Sequence, residues 1–392
     1  VKLYYTNPEV YEWDTVITEV VEEGDHFLVQ LKETAFYPEG GGQPSDLGYI
    51  GDLRMLDATE RGNAVYHKVL SRPKQMEVHC KIDPARRLDH TQHHSGQHLL
   101  SAVFMELFDI PTLSFHLGEE TVTIDLDTPG LGSEQLLQVE NRAYQLIQEN
   151  RRITTFYVNE EELKQLPLRK LPKVTEDIRI VDMTGIDVSA CCGTHVQGTS
   201  QIGMIKIVKT EKYKGKTRVY FLCGRRAFSY FQELHQVTTG LASKFSTNIQ
   251  GIAGRTEKLE EELTVLRERS DALVKENQHY LIEQITKEQQ GTVIELETEL
   301  NLKEAQQLGR SIAEKINKPV ILINIPERRT AAVLPSGLDF QAGKWFKASL
   351  SSLSGKGGGS DIQAQATFSA KEDMEAFISQ LREALSEAAL LR

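Results

Sequence analysis

Long apolar runs are missing from this chain. Nowhere in its 392 residues does an uncharged hydrophobic stretch approach the roughly 18 residues that a membrane-crossing helix needs. No charged leader followed by an apolar segment opens the chain, as a secretory signal would, so no membrane association is expected. Cysteine is scarce as well. Cys80, Cys191, Cys192 and Cys223 cannot frame a disulfide scaffold in a protein of this size, which points to a reducing cytoplasm. Positive charge is in deficit: 45 Lys and Arg against 56 Asp and Glu leave a net charge of −11. That argues against nucleic acid only if charge is spread evenly, because binding depends on where the cations lie. Here Lys206, Lys209, Lys212, Lys214, Lys216 and Arg218 cluster, while acids gather elsewhere, as in Glu257 to Glu262. The 40% hydrophobic content is ordinary for a soluble protein with a sizeable core, and the length suits two or three domains. Val1 at the start fits either a processed chain or an unusual start codon.

Two short stretches stand out against these absences. In Asp89-His90-Thr91-Gln92-His93-His94-Ser95-Gly96-Gln97-His98, the residues His94 and His98 are four apart, and Leu99, Leu100, Val103 and Phe104 follow. That apolar spacing predicts a helix with one buried side. Imidazoles at i and i+4 share a helix face and can share a metal. In Ala190-Cys191-Cys192-Gly193-Thr194-His195-Val196, Cys191 and His195 repeat the four-residue gap around a glycine. A thiolate with three imidazoles makes a tetrahedral zinc set. On the residues alone the register stays open. His90, His94 and His98 form one ladder, His93 lies on the neighbouring face, and Cys192 can stand in for Cys191. A buried cysteine acting only as a small hydrophobe is the alternative.

His94-Ser95-Gly96-Gln97-His98-Leu99-Leu100 and Cys191-Cys192-Gly193-Thr194-His195-Val196 resemble the paired zinc motifs of the alanyl-tRNA synthetase editing domain. They also resemble those of its free-standing relatives, the AlaX trans-editing proteins. The resemblance selects His94, His98, Cys191 and His195 as ligands of Zn2+. Cys192 departs from it, since synthetases usually carry glycine there. The likeness extends to Thr34 through Gly48 with its Gly40-Gly41-Gly42-Gln43 core, and to Gly224-Arg225-Arg226-Ala227. Taken alone, the glycines predict a tight loop between barrel strands. The resemblance implies that this loop approaches the acceptor end of a bound tRNA.

The expected fold class is α+β in four parts. Residues 1–88 form a glycine-loop β-barrel, with strands at Leu3 to Tyr5, Val16 to Val21 and His26 to Leu31. Residues 89–230 form a mixed α/β zinc-containing editing domain. In it a helix runs to about Phe108, strands cover Thr121 to Leu126, Arg152 to Val158 and Ile178 to Asp182, and a helix spans Ser133 to Asn150. A hairpin pairs Ile202 to Val208 with Thr217 to Leu222 around Lys214-Gly215. Residues 231–289 form a helical coiled-coil linker, in which Leu259, Leu263, Leu266, Ser270, Leu273, Asn277, Tyr280 and Gln284 trace a seam. That seam suits either an intramolecular hairpin or a homodimer paired through the linker or the C-terminal domain. Residues 290–392 form a separate α/β unit with an open Gly-rich loop at Ser354 to Asp361. This unit resembles the C-terminal domain shared by alanyl-tRNA synthetases and DHH-type phosphoesterases, which marks the long form of AlaX.

The resemblance implies a reaction as well. A barrel that begins near residue 1 leaves no room for an ATP-dependent aminoacylation domain. The expected activity is therefore hydrolysis of mischarged tRNA(Ala), in particular seryl-tRNA(Ala). A pocket built for alanine cannot strongly reject a near-isostere with an added hydroxyl, whereas a second site can demand that hydroxyl. Gln97, Ser114 and His116 are the candidate catalytic residues that read it. Zinc is expected to keep three firm ligands, with Cys191 or His195 able to yield. The candidate tRNA contacts are Gly40, Gly41, Gly42 and Gln43, then Lys212, Lys214, Lys216 and Arg218, then Lys356, Gly357, Gly358 and Gly359. Two rival functions are a phosphodiesterase and a non-catalytic tRNA-binding protein. Asp89-His90-Thr91 is not the Asp-His-His signature of the first, and the second leaves the metal pairs unexplained.

Overall fold

Six antiparallel strands close into a barrel in the N-terminal part of the computed structural model, which describes residues 1–169, 178–288 and 291–391. They follow a helical turn, α1 (Leu3–Thr6), and are β1 (Glu12–Glu23), β2 (His26–Leu31), β3 (Gly48–Ile50), β4 (Leu53–Arg61), β5 (Ala64–Val69) and β6 (Glu77–Ile82). Around the barrel they run β1-β2-β5-β4-β3-β6, so none of the six is left with an open edge. Trp13, Ile17, Val29, Phe36, Met55 and Ile82 fill the interior. Leu3 to Tyr5 form α1 and not the expected strand. One turn buries Tyr4 completely, with its ring 5.5 Å from that of Tyr37, and such packing overrides the β preference of three residues.

Asp83 caps the next helix, α2 (Pro84–Phe108), accepting from the amides of Ala85 and Arg86, with Pro84 at the first helical position. This helix runs through residues 88 and 89, where a domain boundary was expected. Arg87 ties it to the barrel: buried, it donates to Asp46, to the Pro8 carbonyl at 2.8 Å and to the Ala35 carbonyl at 2.5 Å. Barrel and helix therefore belong to one unit, Val1–Ile249. Leu99, Leu100, Val103 and Phe104 pack into the core of its second half.

After α2 come β7 (Thr112–Leu117), β8 (Val122–Leu126), α3 (Ser133–Gln148), β9 (Ile153–Val158), α4 (Glu160–Leu163), β10 (Ile178–Met183) and β11 (Asp187–Ala190). They are followed by β12 (Ile205–Tyr213), β13 (Lys216–Cys223) and α5 (Gly224–Lys244). Two sheets result, β12-β13-β8-β7 and β11-β10-β9. The hairpin turns at Lys214 and Gly215, both with positive φ, the geometry that matches strand twist. Its first strand starts at Ile205 and not at Ile202, because Gly203 has φ +75° and ends a 3-10 turn, Thr199–Ile202.

The second unit, Gln250–Arg392, opens with α6 (Ile252–Glu288). Leu263, Leu266, Leu273 and Tyr280 of the expected seam are exposed along it. Ile282 and Ile285 are instead buried against the sheet and helix that follow. The expected boundary at residues 289 and 290 lies outside the described residues. Then come β14 (Ile294–Glu297), α7 (Leu302–Ile316), β15 (Val320–Asn324), β16 (Arg329–Val333), α8 (Ala342–Ser349), β17 (Gly355–Gly359), β18 (Gln363–Phe368) and α9 (Lys371–Leu390). The sheet order is β14-β15-β16-β18-β17, with only the first pair parallel. The glycine stretch expected as an open loop is the edge strand β17. A side chain at Gly357 would put its Cβ 2.1 Å from the Gln365 carbonyl oxygen, so glycine is what lets the two strands close.

Candidate metal centre

The helix α2 sets His94 and His98 one turn apart, with ring centroids separated by 5.4 Å. The segment after β11 brings the second pair against them. Arg179 anchors that segment by donating to the carbonyls of Cys191 and Gly193 at 2.8 and 3.0 Å. A Cβ on Gly193 would fall 2.1 Å from the His94 ring, so only glycine allows the chain to cross there. As a result one ligand atom from each of His94, His98, Cys191 and His195 lies within 4.8 Å of every other. Cys191 Sγ is 3.3 Å from His94 Nε2 and 3.4 Å from His195 Nε2.

Each imidazole is held from behind. His94 Nδ1 donates to Gln43 Oε1 at 2.9 Å, and His98 Nδ1 to Asp187 Oδ2 at 2.9 Å. The third, His195 Nδ1, pairs with Ser95 Oγ at 3.1 Å. Partners at Nδ1 fix tautomer and ring orientation and leave Nε2 free to bind. Asp187 is itself gripped by Arg169, 2.7 Å away, and by Ser189. All three histidines are buried, and Cys191 is half-buried.

The buried charges of the cluster are tightly coupled. Burial opposes ionisation of Cys191, but His94 and His195 outweigh it and hold the thiol well below its ordinary value. Burial likewise works against a charged His98, yet Asp187 and Cys191 raise it to about 9. Asp187 stays ionised because His98 and Arg169 overcome its own burial. Burial dominates at His195 and lowers it to about 3. The group can hold a metal ion: four convergent soft and borderline donors, with every imidazole oriented.

The other candidate residues fall in different places. His90, on the same ladder, is buried outside the cluster, and its Nδ1 has no hydrogen-bond partner among the described residues. His93 is structural, bonded to the Asp89 carbonyl and accepting from the Cys223 amide. Cys192 is exposed and outside the group. Gln97 donates to Ser101 Oγ at 2.8 Å. Ser114 and His116 point outward from β7, whereas Phe115 between them faces His94 with 5.3 Å between ring centroids. The two-residue strand period separates the expected pair from the cluster.

Gln43, expected at a tRNA surface, is fully buried and bonded to His94 and Thr194. Gly41 and Gly42 do stay exposed, at the tip of a turn closed between Gly40 and Gln43. In the basic cluster, Lys206 pairs with Glu140, Lys209 with Glu211, Lys216 with Asp127 and Arg218 with Asp125, which also accepts from Ser114. Lys212 and Lys214 hold no carboxylate among the described residues, though Lys214 lies over the Tyr213 ring. Lys356, Gly357, Gly358 and Gly359 belong to the second unit. Sequence reasoning missed Asp187, Ser95, Arg179 and Phe115. Asp187 and Phe115 reach His98 and His94 from distant positions, which no local spacing announces.

Residues 178–220 match the threonyl and alanyl tRNA synthetase second additional domain, and residues 278–387 match the DHHA1 domain. The alanyl-tRNA editing protein AlaX-L of Pyrococcus horikoshii is 30% identical over 95% of both chains. The alanyl-tRNA editing protein Aarsd1-A of Xenopus laevis is 37% identical over 255 residues, 64% of this chain and 62% of its own. The chain thus spans less than two thirds of that relative. An alanine–tRNA ligase of Thermococcus kodakarensis is 28% identical over 93% of this chain and 41% of the ligase.

Proposed function

The chain belongs to the alanyl-tRNA editing protein family, and on that premise we propose that it hydrolyses mischarged tRNA(Ala), seryl-tRNA(Ala) above all. Water adds to the ester carbonyl, the ribose oxygen leaves with a proton, and serine and free tRNA are released. The observation that carries this reading is the cluster of His94, His98, Cys191 and His195, with every imidazole oriented from behind. Zn2+ suits this donor set, and when bound it supplies a Lewis acid that polarises an ester carbonyl or acidifies water.

The chain's own residues prepare the site. Gln43 sets the His94 ring, and Asp187 sets that of His98. Phe115 shields one side of His94. The exposed Gly41-Gly42 tip offers backbone groups beside the cluster, where no side chain obstructs an incoming acceptor end. Lys212 and Lys214, which hold no carboxylate among the described residues, supply charge for the RNA backbone, and the second unit adds further RNA binding. The protein works in the cytoplasm, where its tRNA substrate is found. Two copies pair through the exposed apolar residues of α6.

The test is to incubate the protein with seryl-tRNA(Ala), alanyl-tRNA(Ala) and an RNA oligonucleotide. Loss of the seryl ester, with alanyl ester and phosphodiesters intact, is the expected outcome. Cleavage of the oligonucleotide, or no cleavage at all, would overturn the reading in favour of a phosphodiesterase or a binding protein.

A further inference from the structure

The strand period that turns Ser114 and His116 away from the metal centre places them on one face with the basic hairpin. Across the sheet β12-β13-β8-β7, Lys209, Tyr220, Thr123 and His116 stand in one row, and Glu211, Arg218, Asp125 and Ser114 in the next. Tyr213, two residues beyond Glu211, lies against Arg218. Cross-strand partners, and residues two apart along a strand, share a face, so these side chains form one surface of the N-terminal unit. Ser114 and His116 are exposed on it, while Tyr213, Tyr220 and Arg218 are half-buried.

Planar groups and positive charge alternate on this surface. The Arg218 guanidinium lies 3.7 Å from the centre of the Tyr213 ring, and the Lys209 ammonium 4.2 Å from that of Tyr220. Both stacks are held in place. Asp125 grips Arg218 through two bonds of 2.7 and 2.9 Å, and the Tyr220 hydroxyl donates to Glu211 at 2.6 Å. Planes already fixed lose little freedom when a ligand stacks on them. The chain as a whole carries −11, yet residues 209–218 hold five cations and one acid. Asp125 and Asp127 pair with two of those cations, and a positive surplus remains. Aromatic and guanidinium planes with cations between them suit single-stranded RNA, whose bases stack on the planes while its phosphates meet the charge.

The surface also leads towards the metal centre. Leu117, next after His116, donates its amide to the Gly42 carbonyl at 3.1 Å. That bond joins the β7 end of the row to the exposed glycine tip. We propose that this face is a stacking platform for the unpaired nucleotides just before the terminal one of the substrate strand. Bases lie on Tyr220 and on the Tyr213–Arg218 pair, and the strand passes His116 to reach the glycine tip. That the strand belongs to a tRNA rests on the editing function; the fit to single-stranded RNA does not.

The test compares tRNA(Ala) carrying its 3′ single strand with the same tRNA shortened by its last four nucleotides, by fluorescence anisotropy on the full chain. The intact form should bind more tightly. Tyr213→Ala and Tyr220→Ala should each weaken it about tenfold, the loss of one stacked base, and leave the shortened form within about twofold. Tyr220→Phe should bind as the parent does, because stacking needs the ring, although this variant loses the Glu211 bond just as alanine does. Should an alanine variant not fold, His116→Glu, at the exposed end of the row, reads the same difference through charge repulsion. Zinc content, measured alongside, should not move. Equal weakening of both tRNA forms by the two alanine variants, or weakening of neither, overturns the proposal. A shortened form that binds as tightly as the intact one does so too. Deacylation with binding that ignores the rings defeats this platform alone, and ring-dependent binding without deacylation defeats only the editing function.

Discussion

The side chain of Gln43, on a turn of the barrel, accepts a hydrogen bond from His94 on α2 at 2.9 Å. The same Oε1 accepts from the Thr194 amide at 3.2 Å, and the amide nitrogen of Gln43 donates to Thr194 Oγ1 at 2.9 Å. One buried side chain thus joins three segments of the metal centre. Replacing Gln43 by leucine should lower zinc affinity about 10- to 100-fold, as loss of a ligand's orienting partner does. Circular dichroism should stay unchanged. Competition with a chromophoric chelator measures the affinity, and an unaltered value would mean that the bond does not orient His94.

Purified protein should carry one zinc per chain through His94, His98, Cys191 and His195. His98→Ala should lose most of it, because a four-donor site does not hold on three with its geometry disturbed. His90→Ala should keep it, since His90 is buried away from the cluster. Elemental analysis of the two variants decides between the ladder positions.

Ser114 and His116 face away from the cluster, with Ser114 bonded to Asp125 at 2.7 Å. Alanine at either position should leave the ratio of seryl- to alanyl-tRNA hydrolysis within about twofold, because an outward residue of β7 cannot touch the ester. Phe115→Ala should lower the rate, since it unpacks the His94 ring. A collapse of discrimination in Ser114→Ala would restore the direct role that its sequence position suggested.

The basic strip should divide by pairing. Lys212→Ala with Lys214→Ala should reduce the salt dependence of tRNA binding by about one to two in log–log slope, as two released counterions require. Lys216→Ala should change the slope less, because Lys216 is already paired with Asp127. Binding isotherms over a salt series read this directly.

Barrel stability should fall in mild acid through His67. This imidazole is buried between the Val29 carbonyl, 2.8 Å from Nδ1, and the Thr34 hydroxyl, 2.9 Å from Nε2. Burial lowers its pKa from 6.5 to about 4. The unfolded chain therefore takes up a proton that the folded one refuses. The contribution is complete above pH 6.5 and is lost as pH falls towards 4, about 3 kcal/mol across the window. Urea unfolding followed by Trp13 fluorescence in a Trp345→Phe background, at pH 7 and pH 5, should show the loss, and His67→Phe should flatten it.

Local pattern made much of this protein legible. The Lys214-Gly215 turn, the helix bearing His94 and His98, and the strands around Val20, Leu28 and Ile124 all follow from spacing and turn chemistry that act within a few residues. The four-residue spacing of both pairs was legible for the same reason, whereas the choice of His94 and His98 from the ladder, and of Cys191 over Cys192, came from the family resemblance. Tertiary structure alone decided what stands behind and beside them. Gln43 reaches His94 across 51 positions and Asp187 reaches His98 across 89, and no periodicity encodes pairs so far apart. Packing also turned Leu3 to Tyr5 into a helical turn and the Gly355 to Gly359 loop into a strand. It faced Phe115 inward where Ser114 and His116 were expected, because strand phase is set by which side meets the core. The sequence by itself determined the four-residue spacings and the local geometry they impose. Which face, which partner and which cavity each side chain meets depended on burial, a property of the whole fold.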